Sequence, residues 1–180
     1  ALSGLLLDLI QSTPGARVVN VSSLAHRGGE MDFDNLMFEG GQGYDRQAAY
    51  GRSKLANLLF TYELERKFEE LGVDAMAVAA HPGVSNTNLA DHMPMIKILR
   101  PVAGRILQSA AMGSLPIIRA AVDPQVAGGQ YYGPDDKNER GGFPVVVNSS
   151  ENSHNQADAQ KLWEVSEELT GVTFNQLNAE

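Results

Sequence analysis

The stretch AAYGRSKLANLL, residues 48–59, decides how this chain is read. Tyr50 and Lys54 stand four positions apart, so on a helix both point to the same side. Their neighbours are mostly small or apolar. A phenol and an ammonium on one side of a packed helix is an arrangement for proton transfer. A free tyrosine ionises near ~10, and bringing it to neutrality takes about 4 kcal/mol of preferential anion stabilisation. An adjacent, partly shielded ammonium supplies a large part of that.

The flanking sequence supports a helix from about residue 45 to 71. Leu55, Leu58, Leu59 and Tyr62 form a stripe that Leu64, Phe68 and Leu71 continue with a drift, and Gly72 supplies the stop. Upstream, RVVNVSS (17–23) reads as a short buried strand, and LAHRGGEMDFDNLMFEGGQGYD (24–45) as a glycine-rich loop. Pro14 and Gly15 punctuate the turn before that strand. At the start, Leu2, Leu5, Leu6 and Leu9 have the spacing of a helix with one buried face.

Downstream, VDAMAVAAHPG (73–83) is a second buried strand ending in a Pro-Gly turn. A polar loop and an apolar segment, MPMIKILRPVAGRIL (93–107), follow. Residues 109–122 look helical, with Pro116 demanding a kink or a later start. GGQYYGP (128–134) reads as a third strand. FPVVVN (143–148) has strand composition but sits among loops. Residues 155–171 make a last helix with Leu162, Val165 and Leu169 on one side and Gly171 as its stop. Strands alternating with helices predict an α/β fold: a Rossmann-like doubly wound parallel sheet, of which about three parallel strands with flanking helices are visible. Residues 1–180 read as a single domain.

Composition narrows the function. With 180 residues, 43% hydrophobic and 20% charged, the chain is an ordinary globular one. A net charge of −8 argues against a nucleic-acid or anionic-membrane partner. No run approaches the ~20 apolar residues of a membrane span. Without cysteine there are no disulfides or thiolate metal sites, which fits a reducing, cytoplasmic setting. Four scattered histidines, among them His26 and His92, lack the spacing of a metal site, so none is expected.

The Tyr-x-x-x-Lys pair alone is a weak signal. Tyr50 could be a core ring, Lys54 a surface residue, Ser22 and Ser23 loop residues, and Pro82-Gly83 only a turn. Their order is more telling. The serines end one strand, Pro82-Gly83 ends the next, and the tyrosine helix lies between. All converge on the C-terminal edge of one sheet, where open α/β sheets place ligands.

These residues resemble the short-chain dehydrogenase/reductase family, in its retinol-dehydrogenase-like and WW-domain-oxidoreductase-like branch. RVVNVSSLAHRGG, AAYGRSKLANLLFTYELERKF, HPGVSNTNL and LWEVSEELTGV carry the likeness, which extends over essentially the whole chain. The resemblance implies an oxidoreductase that interconverts an alcohol and a carbonyl by direct hydride transfer with NAD or NADP. Tyr50 would be the acid/base. Lys54 would make the phenol more acidic and bond the nicotinamide ribose. Ser23 would orient the reacting oxygen. Pro82, Gly83 and Val84 would line the nicotinamide end, with Thr87 near the amide or pyrophosphate. The substrate would be a small lipophilic alcohol, aldehyde or ketone beneath residues 93–107, and the family admits a homodimer.

The family's T-G-x-x-x-G-x-G turn, its N-A-G strand end and the asparagine of its proton relay are not in this sequence. The chain thus resembles the C-terminal catalytic portion of the fold, with Ala1 falling inside a helix and the first strand left with an unpaired edge. Such a portion alone is expected to bind dinucleotide poorly. Two other readings stand beside this one. One is a non-catalytic interaction module. The other is a nucleotide-sugar epimerase or dehydratase, which also uses Tyr-x-x-x-Lys and which QYYGP faintly echoes.

Overall fold

A computed structural model describes residues 1–84 and 108–177. Thr87, His92 and the segment 93–107 lie outside the described residues. Four strands form one sheet in the order β1 (Ala16–Val21), β2 (Ala75–Ala80), β3 (Tyr131–Pro134), β4 (Pro144–Val146). β1, β2 and β3 are parallel, with Ala16 beside Ala75 and Val21 beside Ala80. The expectation of three parallel strands needs one addition. FPVVVN supplies a fourth, and β4 runs antiparallel to β3 with Pro134 opposite Pro144. The loop 135–143 is too short for a parallel crossover, so the chain can only turn back. The YYGP of QYYGP is β3 itself.

β2 is the centre of the core. Ala77, Val78, Ala79 and Ala80 are fully buried. Their alternation sends Ala77 and Ala79 to one face and Val78 and Ala80 to the other. On the first face lies α3 (Arg46–Glu70), whose Leu58 packs with Ala79 and Tyr131, and whose Leu64 and Phe68 pack with Ala77 and Val18. On the second face lies α4 (Ala110–Val122), through Ile117 and Ala120 against Val78, Ala80 and Tyr132. Both strand-to-strand steps run in the same direction across the sheet, yet their helices lie on opposite faces.

α3 starts where Asp45 accepts hydrogen bonds from the Gln47 and Ala48 amides at 2.9 and 2.8 Å. It ends at Gly72, whose φ of +62° is the left-handed stop the sequence predicts. The end of its stripe drifts outward, leaving Leu71 39% exposed. Near that end the Glu65 carboxylate accepts the Ala77 amide at 2.6 Å, at a point on β2 that β3 does not reach. Burial raises the Glu65 carboxyl above the usual carboxylate range. Gly128 leaves room for it, since a Cβ there would sit 1.5 Å from Glu65 Oε1.

α4 begins before Pro116 and continues through it, capped by Ser109 on the Met112 amide at 3.2 Å. α5 (Gln156–Thr170) packs on α3, with Trp163 stacked on Phe60 at 5.5 Å, and ends at Gly171. Leu162 is buried on its inner side, whereas Leu169 is 63% exposed.

The opening helix departs most from expectation. It is broken at Leu6 into α1 (Leu2–Leu5) and α2 (Leu7–Ser12). Leu2, Leu5, Leu6 and Leu9, the predicted inner stripe, are 72%, 71%, 43% and 64% exposed. Leu7 is buried instead, against Leu64, Phe68 and Trp163. Periodicity marks an apolar face, but the break at Leu6 turns a different residue into the core. β1 ends the strand order and has β2 as its single neighbour among the described residues, as the sequence predicts for this edge.

Candidate active site

The C-terminal rim of the sheet begins where β1 ends. The Ser22 amide donates to the Ala80 carbonyl at 2.8 Å, carrying the pairing one residue past Val21. The buried Ser22 hydroxyl donates to the Lys54 carbonyl at 2.8 Å. In return, the Lys54 ammonium and the Asn57 amide both donate to the Val21 carbonyl, at 3.3 and 2.9 Å. The turn of α3 that carries the lysine is thus stitched to the strand end from both sides.

Ser23 follows at the start of a 3-10 turn, Leu24–Gly28, where its Oγ accepts the Ala25 amide at 3.3 Å. A hydroxyl so used keeps its own proton for another acceptor. This turn lies close on α3 because two glycines meet. A Cβ on Gly29 would fall 2.5 Å from the Gly51 carbonyl oxygen, and one on Gly51 would fall 3.0 Å from the Ala25 carbonyl. Gly51 immediately follows Tyr50, so the contact sets the serine turn beside the tyrosine and lysine.

Tyr50, in the first turns of α3, is 41% exposed. The Lys54 Nζ lies 5.6 Å from its ring centre. The two side chains therefore share a side of the helix, as the spacing predicts, with the ammonium between the ring and the end of β1. Tyr50 is not a core ring.

Pro82, Gly83 and Val84 leave β2 on the same rim. Gly83 has φ +66°, and a Cβ there would meet the Arg140 carbonyl at 2.6 Å. The Val84 amide donates to that same carbonyl at 2.8 Å, and the Gln108 side chain donates to the Pro82 carbonyl. Val84 is 38% exposed.

Composition and spacing did not point to His81 or Glu139, which lie behind this rim. His81 is fully buried, and burial pushes its pKa down to about 4. Its Nδ1 accepts the Gly83 amide at 3.2 Å, and its Nε2 lies 3.1 Å from Glu139 Oε2. Glu139 pairs with Arg27 at 2.6 Å. His26, also buried and also lowered by burial, lies 2.6 Å from the Ser23 carbonyl through Nδ1 and accepts the Ser150 amide on Nε2 at 3.1 Å. His26 is 0% exposed, so its ring does not reach solvent. Asn57 could have been found, since it lies three residues after Lys54 and so on the same side.

The side chains present fit the nicotinamide-ribose end of a dinucleotide. An ammonium and an exposed phenol suit a ribose diol, and the exposed Val84 beside a glycine turn offers an apolar edge.

No protein-family model matches the chain. It is 36% identical over 177 residues to retinol dehydrogenase 14 of Mus musculus, covering 95% of this chain and 49% of that protein. It is 35% identical to retinol dehydrogenase 12 of Mus musculus over 175 residues, 96% of this chain and 51% of that one. Polyprenol dehydrogenase of Homo sapiens is 35% identical over 178 residues, 95% of this chain and 51% of that one. Among solved structures, an uncharacterized protein from Mycobacterium paratuberculosis superposes with a TM-score of 0.74 at 32% identity, over 96% of this chain and 55% of that chain. The retinol dehydrogenases it matches belong to the short-chain dehydrogenase/reductase family and align over 95% of this chain. The chain spans about half the length of the curated relatives it matches.

Proposed function

We propose that residues 1–180 form one domain that carries the proton-transfer side of an NAD(P)-dependent oxidoreductase acting on a lipophilic alcohol or its carbonyl. The observation that carries this reading is the Lys54 ammonium, held by the Val21 carbonyl 5.6 Å from the ring of an exposed Tyr50. A bound nicotinamide would supply the hydride acceptor or donor. The chain's own groups do the rest. The Tyr50 hydroxyl gives a proton to, or takes one from, the substrate oxygen. The Lys54 ammonium stabilises negative charge that develops on the phenol oxygen. The Ser23 hydroxyl donates to the reacting oxygen and orients it. Pro82, Gly83 and Val84 would border the nicotinamide. Retinol and polyprenol in the relatives' names support a lipophilic substrate. A homodimer and a cytoplasmic location complete the reading on sequence grounds, and light scattering and cell fractionation check them.

Titration with NADH and NADPH, followed by nicotinamide fluorescence, tests the proposal on this chain and on one extended upstream. The extended protein should bind one of the two and oxidise a long-chain alcohol, and Tyr50→Phe should lower the rate about 10²-fold or more. Absence of both binding and turnover in the extended protein turns the reading toward an interaction module. The open edge of β1 favours that second reading.

A further inference from the structure

The rim has two turns, one after β1 and one after β2, and a buried imidazole lies between them. His81 is wholly enclosed, and β3 passes so close that a Cβ on Gly133 would lie 2.1 Å from His81 Nε2. The ring has no freedom to turn away. Its Nδ1 accepts the Gly83 amide at 3.2 Å, which requires that nitrogen to carry a lone pair. The proton of a neutral ring must then sit on Nε2, where Glu139 Oε2 receives it at 3.1 Å. Glu139 Oε1 is in turn held at 2.6 Å by Arg27, in the 3-10 turn that Ser23 opens. Arg27 also reaches the Asn148 carbonyl at 3.4 Å. Glu139 stands in the β3–β4 loop at φ +54°, a strained backbone for a residue with a side chain. The groups facing the imidazole are Glu139 from that loop, Arg27 and His26 from the serine turn, and Tyr131 from β3, its ring 5.2 Å away.

We infer that His81 is the positioning residue of the Pro82–Val84 turn, held in one tautomer by Glu139 and Arg27, so that the turn after β2 is registered against the turn that carries Ser23. The chain Gly83 N–H, imidazole, carboxylate, guanidinium crosses the rim from one turn to the other. Gly83 takes the left-handed conformation that brings its amide back onto Nδ1, and the Arg140 carbonyl fixes the next residue from the other side. The importance of this for catalysis rests on the oxidoreductase reading above; the registration itself does not.

The test is nuclear magnetic resonance on the 180-residue chain. Long-range ¹H–¹⁵N correlation of the His81 ring should show the proton on Nε2 and an unprotonated Nδ1. The opposite tautomer overturns the inference without any mutation. Amide exchange at Gly83 and Val84 should then quicken by about tenfold or more in His81→Phe, the loss expected for one buried hydrogen bond. His81→Asn, whose side-chain oxygen stands near the place of Nδ1, should restore protection at Gly83. Glu139→Ala changes a residue nearer the surface and should speed exchange at Gly83 while the far strand segment Ala75–Ala77 stays protected. Unchanged Gly83 exchange in Glu139→Ala overturns the link to the serine turn. Uniform loss of protection in His81→Phe, not rescued by asparagine, overturns the positioning role in favour of simple packing. None of these readouts needs a dinucleotide. Their failure leaves the oxidoreductase reading intact, and failure of dinucleotide binding leaves the supported turn intact.

Discussion

Gly29 lies against Gly51 so closely that a single methyl on Gly29 would stand 2.5 Å from the Gly51 carbonyl oxygen. The obstacle is backbone in the second turn of α3, which cannot move aside. Gly29→Ala should therefore destabilise the fold by about 1–3 kcal/mol, the usual cost of overpacking. Gly28→Ala is the control, since a methyl there meets nothing within 4 Å. Urea midpoints of the two variants should separate clearly, and equal midpoints would refute the close approach.

Tyr50 is more than a third exposed, so removing its hydroxyl costs the fold little. Tyr50→Phe should change stability by less than about 0.5 kcal/mol. Lys54→Met should cost about 1 kcal/mol, because the Val21 carbonyl keeps Asn57 as a partner. If both variants melt near the parent while turnover of an upstream-extended protein collapses, the pair is functional. A large drop in melting temperature for Tyr50→Phe would make it a packing residue.

Stability should fall in mild acid. Burial lowers His81 to about 4 and lowers His26 as well, so both rings are neutral in the fold. Unfolded histidine binds its proton near ~6.5. The unfolded chain therefore binds more protons as pH drops below that value, and folding stability is lost progressively toward pH 4. The slope is about 1.4 kcal/mol per pH unit for each proton. Chemical denaturation between pH 7.5 and 4.5 measures it. A flat profile would contradict the buried, neutral state of these rings.

The Glu65 carboxyl has the opposite sign. Burial raises it, so its ionised form costs stability as pH climbs past the ordinary carboxylate range. Glu65→Gln keeps an acceptor for the Ala77 amide and removes the buried charge, and should be neutral or slightly stabilising at pH 7. Glu65→Ala leaves that amide unpaired and should cost about 1–3 kcal/mol. Thermal melts of the two variants should bracket the parent.

The opening leucines give a last contrast. Leu7→Ala should cost about 2–4 kcal/mol, as for other buried leucines, and Leu9→Ala less than about 0.5. The reverse order would restore the stripe that periodicity suggests.

Much of this architecture was legible because it is local. The Gly72 stop and the Leu55–Phe68 stripe specify α3 from neighbouring residues alone. The valine and alanine runs specify β1 and β2, and the spacing of Tyr50 and Lys54 fixes their common side. What escaped is long-range. β4 forms because β3 offers an edge. Leu7 is buried because Trp163 and Phe68 arrive from distant elements. His81 gains its partner from Glu139, 58 residues on. Pattern reading finds faces of elements; it does not find which distant group comes to meet them.

β1 delivers Ser23 to the rim, yet it is laced to the sheet along one flank only among the described residues. β2, which delivers the Pro82–Val84 turn, is laced along both. The two sides of the site therefore differ in lateral pairing, with the serine on the singly paired strand. A strand docking along the outer flank of β1 would tighten the placement of the hydroxyl without touching it.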